Sequence, residues 1–427
     1  MQNQTKSLTD IPGLLQEVRG RFAHVDDCPL TGERIFFENA GGALTLNSVV
    51  ETSAKFAAIP DNQGRANEAS KQLGSIIAKA KEDIFVFFNA SDGSAFVGES
   101  GTELLFRLVS AAALATEADG IILGSTLEHP ATRSACHRWA EVSGKEHVLA
   151  KHNKETGTVT VEDYEGHITE KVRVATIVHT SPVTGMAVDV AAISKAIRNK
   201  SPDCLIIVDG IQHASHGGID VAACGIDGYV ISPYKVFSRH GYGVAWVSDR
   251  LMTMPHDRLV GGPEANWELG TRDTGSYATF SDVVDYFDWL GSHFTESAER
   301  RTRIEEAGKA IHVHEKNLVE AMLFGTGNVK GLTELEGINI IGGIDNPLRE
   351  GLVSLYVEHL ESATVVSELD KAGIRVHIRK ADHYSGNILE PLGLKDCVRV
   401  SLCHYNSEQE VAKFLTAMAE LVGTNAR

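Results

Sequence analysis

The chain has 427 residues, 43% hydrophobic and 23% charged, with 57 acidic residues against 40 basic ones and a formal net charge of −17. That length allows a large buried core and predicts two domains. The acidic balance speaks against nucleic acid or an anionic membrane as the main partner, and no run of about 18 apolar residues offers a transmembrane helix.

The opening MQNQTKSLTDIPGLLQEVRGRF is polar and then amphipathic, without the apolar core of a signal peptide. The cysteines Cys28, Cys136, Cys204, Cys224, Cys397 and Cys403 form no CxxC pair. They read as free thiols in a reducing compartment, which makes the cytoplasm the expected location. Residues 1–33 are expected as an entry segment. RIFFENAGGALTL then runs a short strand into a glycine turn, and helical periodicity follows over 48–59 and 69–89. From about residue 94 short apolar runs alternate with amphipathic helices: AFVGESGTELLF, GIILGSTLEHPATRSACHRW, EHVLAKH, VRVATIVHTS, DVAAISKAIRNK, DCLIIVDGIQ and GYVISPYK. This pattern predicts an α/β fold with a mostly parallel sheet over 34–290, with ligands at the carboxyl ends of its strands. The last two apolar runs have no helix between them, so one edge of the sheet is expected to be antiparallel. Residues 285–324 read as one or two long helices. A strand-strand-helix-strand-strand-helix series completes a smaller α+β domain over 291–427.

Four features fall at predicted strand ends. Asp209 follows LIIV directly; a carboxylate there caps a helix or holds a heterocyclic nitrogen protonated. Gln212 stands three residues on. Lys235 lies between two apolar runs, where a free ammonium is costly. It is either a snorkelling loop lysine or one consumed chemically as a Schiff base. GESGTELL, 98–105, combines a glycine turn with a helix start, so that Gly101 and Thr102 are placed to hold an anion. His129, in LEHPAT, is either structural or a cover for an aromatic ring. The histidines of HASHGG (His213, His216) have no acid or cysteine at matching spacing, and no metal is expected.

Together with FENAGGALT, WELGTRDTG and VRVSLCHYNSEQEV, these stretches resemble the class V, fold-type I pyridoxal-phosphate superfamily of aminotransferases and cysteine desulfurases, nearest its cysteine desulfurase-like subgroup. The resemblance runs from about residue 34 to 423. It implies pyridoxal 5'-phosphate as cofactor, a seven-stranded-type sheet in the large domain, Lys235 as the Schiff-base lysine, Asp209 on the ring nitrogen, Gln212 on the ring oxygen and His129 stacked on the ring. It further implies Gly101, Thr102 and Ser232 on the phosphate. Gly270 and Thr271 would reach into a second subunit's site, making a homodimer with shared active sites. Arg399 would grip the carboxylate of a small amino-acid substrate, with Arg379 beside it.

Three departures bear on the reaction. Tyr384, flanked by His383 and Ser385, stands where desulfurases carry their persulfide-forming cysteine. Pro182 replaces an asparagine that contacts cofactor and substrate, leaving Ser181 or Thr180 to substitute. Tyr234 precedes the lysine where histidine is usual. The expected activity is therefore a C–S or β-elimination lyase, with Lys235 as base at Cα and Tyr384, Ser385 or His383 as a donor to the leaving group. The alternatives are transamination to a keto acid, epimerisation or racemisation, and an inactive binding protein on the same fold.

Overall fold

The computed structural model describes residues 6–425. The apolar runs become seven strands of one sheet: β1 (Ser94–Gly98), β2 (Ile121–Ser125), β3 (Glu146–Ala150), β4 (Val172–Val178), β5 (Leu205–Asp209), β6 (Gly228–Ile231) and β7 (Gly243–Val247). Their order is β1-β7-β6-β5-β4-β2-β3. Every residue of β5, β6 and β7 is buried. Strands covered on both faces carry continuous rather than alternating hydrophobicity, as LIIV and GVAWV do.

Neighbours from β6 through β3 pair in parallel. The expectation of an antiparallel edge needs correction. β7 runs against both of its neighbours, but it lies between β6 and β1, and β1 closes that side of the sheet. The short β6–β7 connection turns the chain back, and β1 then lies alongside the returning strand.

Helix α1 (Gly101–Ala115) follows β1, and helix α2 (Pro130–Ser143) follows β2. Both begin on side-chain caps. Ser100 Oγ accepts from the Glu103 N–H at 3.1 Å, and His129 Nδ1 accepts from the Ala131 N–H at 3.2 Å, with Pro130 at the first helical position. Two long helices follow the sheet, α3 (Thr274–Gly291) and α4 (Arg300–Phe324). The first begins ahead of the predicted stretch because Asp273 caps it through the Gly275 N–H.

A second sheet is antiparallel, with strands β8 (Ile338–Ile340), β9 (Leu352–Val357), β10 (His377–Lys380) and β11 (Asp396–Ser401) in the order β8-β9-β11-β10. Helices α5 (Ser362–Lys371) and α6 (Glu408–Asn425) accompany it. Its core gathers Leu318 and Met322 of α4, Val353 of β9, Val398 and Val400 of β11 and Phe414 of α6. Arg399 points away from that core, toward the carboxyl end of β4, where its Nη1 donates to the Pro182 carbonyl at 3.0 Å. The turn that follows β4 thus meets the second sheet, through Arg399 of β11 on the Pro182 carbonyl and Ser354 of β9 on the Val183 carbonyl.

Candidate active site

Lys235 sits on the turn Pro233–Lys235 after β6 and is only 9% exposed. Its Nζ donates to Gln212 Oε1 at 3.3 Å. Burial, and then the charge of Arg399, hold its ammonium down to about 7. Asp209 ends β5 and is buried. Its Oδ2 accepts from the Thr132 hydroxyl at 2.8 Å and its Oδ1 from the Ile211 N–H at 3.2 Å. Burial raises its pKa and those hydrogen bonds oppose the rise. Both oxygens are thus partnered, and the nearby charge of Lys235 also favours the carboxylate.

These groups share one cavity lined by Thr102, His129, Asp209, Gln212, Ser232 and Lys235, with Thr180 and Pro182 on its β4 side. His129 stands at the mouth of α2. Burial, followed by Lys235, Arg379 and Arg399, pushes its imidazole down to about 3. It is therefore neutral, and the Ala131 contact leaves its proton on Nε2. Gly101 opens α1 directly against the turn before Lys235. A Cβ built there would run into Ser232 Oγ, and would approach Ile211 Cδ1 to 2.6 Å. The missing side chain lets the first helical turn lie close against Ser232 and Ile211, and the N–H groups of that turn lack helical partners.

Arg399 is buried, and among the described groups its Nε has no hydrogen-bond partner. Burial and then Arg379 lower its pKa to about 9. Arg379 donates through Nε to Ser385 Oγ at 2.8 Å and through Nη2 to the Tyr384 carbonyl at 3.3 Å. Its contacts go to the Tyr384 loop. Tyr384 itself is 48% exposed, its ring 6.5 Å from that of His129. It lies on the rim rather than in the cavity.

Two expectations take a different form. Ser181 is buried and its Oγ accepts from the N–H groups of Val183 and Thr184, at 3.3 and 3.1 Å, which closes the HTSPVTG turn. The structure does not bring Ser181 into the cavity; Thr180 lines it instead. Gly270 and Thr271 are exposed and do not line the cavity of their own chain. Thr132, the last residue of LEHPAT, holds Asp209 and is a site residue that the sequence expectations lack. Its signal was its place one turn into the helix that His129 caps. Among the described residues, His216, Glu315 and Cys403 bring donor atoms within 4.8 Å of one another. The chain separations of these residues gave no hint of it.

Residues 35–414 match the family model Aminotransferase class-V. The chain belongs to that family. Class V aminotransferases and the cysteine desulfurases among them are pyridoxal-phosphate-dependent enzymes. This class V chain is 25% identical over 413 residues to a probable cysteine desulfurase of Borreliella burgdorferi, covering 91% of this chain and 92% of that one. It is 26% identical to the aminotransferase-like protein FGM3 of Gibberella zeae, with 95% and 97% covered. Its fold is similar to the apo cysteine desulfurase of Thermococcus onnurineus, with a TM-score of 0.81 at 23% identity over 96% and 98% of the two chains. Fold-type I architecture, with the seven-stranded sheet at its centre, is the architecture of this class V chain.

Proposed function

We propose that this protein is a pyridoxal-phosphate enzyme that acts on a small amino acid as a lyase at Cβ, in the manner of a C–S or β-elimination enzyme, without a persulfide-forming thiol. The donor set suits that cofactor. Asp209 is a buried carboxylate on the cavity wall, Gly101 lets the first turn of α1 come up against Ser232, and Lys235 is a buried amine held near neutrality. Thr102, Ser232 and the α1 amides would hold the phosphate, Asp209 the ring nitrogen, Gln212 the ring oxygen, and the neutral His129 would cover the ring. Bound pyridoxal phosphate supplies an electron sink for charge that develops at the amino acid's Cα.

The remaining tasks fall to this chain's own side chains. Arg399, with Nε unpartnered, accepts the α-carboxylate, and Arg379 adds a second positive charge beside it. Lys235, its pKa near 7, takes the proton from Cα. Tyr384 on the rim delivers a proton to the departing group. Gly270 and Thr271, exposed and not lining their own cavity, complete the site of a second copy. The observation that carries the lyase reading is the rim. The loop Ala381–Ser385 has no cysteine, and Cys397 and Cys403 are buried thiols, Cys397 pushed up by burial to about 12 and Cys403 pushed well above its usual value. A thiol so placed is a poor acceptor for sulfur.

The test is a product assay on purified protein loaded with pyridoxal phosphate and offered a panel of amino acids. Release of sulfide, a thiol or another Cβ leaving group, reduced about a hundredfold in Tyr384→Phe, is expected. A keto-acid product that needs a keto-acid acceptor would establish transamination instead. Inversion at Cα alone would establish an epimerase. A protein that takes up no pyridoxal phosphate would sink the enzyme reading.

A further inference from the structure

The loop that carries Tyr384 leads from β10 into the short helix Gly386–Leu389 and is tied down along its length. At its start the Ala381 N–H donates to the Lys395 carbonyl at 2.7 Å. Asp382 then folds it. The Asp382 carboxylate accepts from the Tyr384 N–H at 2.8 Å, and the Asp382 carbonyl accepts from the N–H groups of Ser385 and Gly386, at 3.2 and 2.7 Å. Arg379 spans it from β10, donating to Ser385 Oγ and to the Tyr384 carbonyl. Ser385, Gly386, Ile388 and Leu389 are buried, and Asp382, His383 and Tyr384 form an exposed tip.

Those bonds all stay beside the second sheet. Another crosses to the large one. Asn387 Nδ2 donates to the Thr126 carbonyl at 2.7 Å and, more weakly, to the Glu128 carbonyl at 3.4 Å. Both carbonyls lie in the turn between β2 and α2, directly ahead of His129. Two carbonyl acceptors fix the orientation of the amide, because only its NH2 end can donate. Asn387 Oδ1 is buried and has no hydrogen-bond partner among the described residues, so these two contacts are the polar fastening of the side chain. The half-exposed Tyr384 has little packing of its own. The bonds within the loop set its shape, and the Asn387 bond sets its place against the turn that carries His129, whose ring is 6.5 Å from that of Tyr384.

We propose that Asn387 is a positioning residue: it clasps the β2–α2 turn and so holds the Tyr384 loop at the mouth of the cavity, where the phenol is aimed at the departing group. This rests on the reading that Tyr384 delivers that proton. In the step concerned the C–S bond breaks, its electron pair stays on sulfur, and the phenol gives sulfur the proton. The phenolate, being exposed, regains a proton from water. Asn387 touches no ligand. A loosened clasp costs proton delivery while the floor of the cavity keeps its groups.

The test uses the full chain loaded with pyridoxal phosphate and two probes, S-ethylcysteine and 3-chloroalanine. Ethanethiolate needs a proton as it leaves and chloride needs none. In Asn387→Ala the ratio of thiol to chloride turnover is expected to fall about tenfold, the effect of one lost hydrogen bond. In a Tyr384→Phe background the same substitution should not lower the ratio further. An equal fall in that background, or a fall in turnover of both probes alike, overturns the proposal and leaves Asn387 a structural residue. A second readout does not depend on turnover. Hydrogen exchange over peptides covering 381–389 should be about tenfold faster in Asn387→Ala, with β5 unchanged. Unaltered exchange there overturns the clasp. If Tyr384→Phe itself leaves the ratio unchanged, or neither probe reacts, the reading of Tyr384 as donor falls and the clasp is judged by exchange alone. Should Asn387→Ala fail to fold, Asn387→Asp decides by the same readouts, since it keeps the shape and removes the donor. Rapid exchange over 384–386 in the wild type overturns the proposal by itself.

Discussion

On the floor of the cavity each ionisable side chain is held by another group of the protein. Thr132 and the Ile211 amide orient Asp209, Gln212 meets Lys235, and His216 and Glu315 lie behind Gln212. The rim is built otherwise. Tyr384 is half exposed, and Gly270 and Thr271 lie on the surface and do not line their own cavity. Ordered, water-excluded groups are what a constant electrostatic task requires. Loops tolerate change, and the reaction branch and substrate are set where they approach the ligand. The floor therefore speaks to the cofactor and the rim to the reaction, and substitutions in the two regions should fail in different ways.

The largest effect is expected on the floor. Lys235→Ala should abolish the visible band of the loaded protein and lower turnover about a thousandfold or more. An absorption spectrum and a product assay check it. A variant that keeps both would remove Lys235 from the chemistry and return it to the class of ordinary loop lysines.

The pH dependence of cofactor loading comes next. Only a neutral amine condenses with an aldehyde, and burial together with Arg399 holds Lys235 to about 7. The loading rate should therefore fall about tenfold per pH unit below that value and level off above it. An ordinary lysine would show the same limb near its usual value of 10.5. The sign for stability follows from the same shift. The unfolded chain keeps this proton up to the higher value, so the cofactor-free protein should gain stability as pH rises from about 7 toward 10.5, as far as this group contributes. A loading profile without a break near neutrality would mean that the cavity is wetter than its geometry suggests.

Between floor and rim lies Arg399. Arg399→Lys keeps the charge but loses the planar fork. KM for the amino acid should rise about tenfold to a hundredfold, while uptake of pyridoxal phosphate stays within about twofold. Equal loss of both would place Arg399 with the floor rather than with substrate recognition.

How much of this could be read in the chain divides along physical lines. Parallel strands buried on both faces announce themselves as apolar runs, and LIIV ending in Asp209 and GYVI leading to Lys235 marked two strand ends of the site. Ser100 and His129 cap their helices over no more than three residues, a local contact that was not among the expectations drawn from the sequence. Pairings through space were not legible. Nothing in residue periodicity brings Glu315 to His216 or Glu350 to His213, which are 99 and 137 positions apart. The place of β7 inside the sheet depended on β1, whose partner no local pattern specifies.

Ser181 shows the limit most finely, and its substitution should have the smallest effect. Thr180 and Ser181 are adjacent hydroxyls after β4, and sequence alone could not say which one faces the ligand. Extended backbone alternates its side chains; here Thr180 goes to the cavity and Ser181 to the turn. Ser181→Ala should leave KM and the visible band unchanged, while two backbone N–H groups lose their acceptor and stability falls by about 1 kcal/mol. Thr180→Val, in contrast, should alter KM with little change in melting temperature. If the two variants exchange these roles, the HTSPVTG turn is held differently in the loaded protein, and Ser181 joins the groups that meet the substrate.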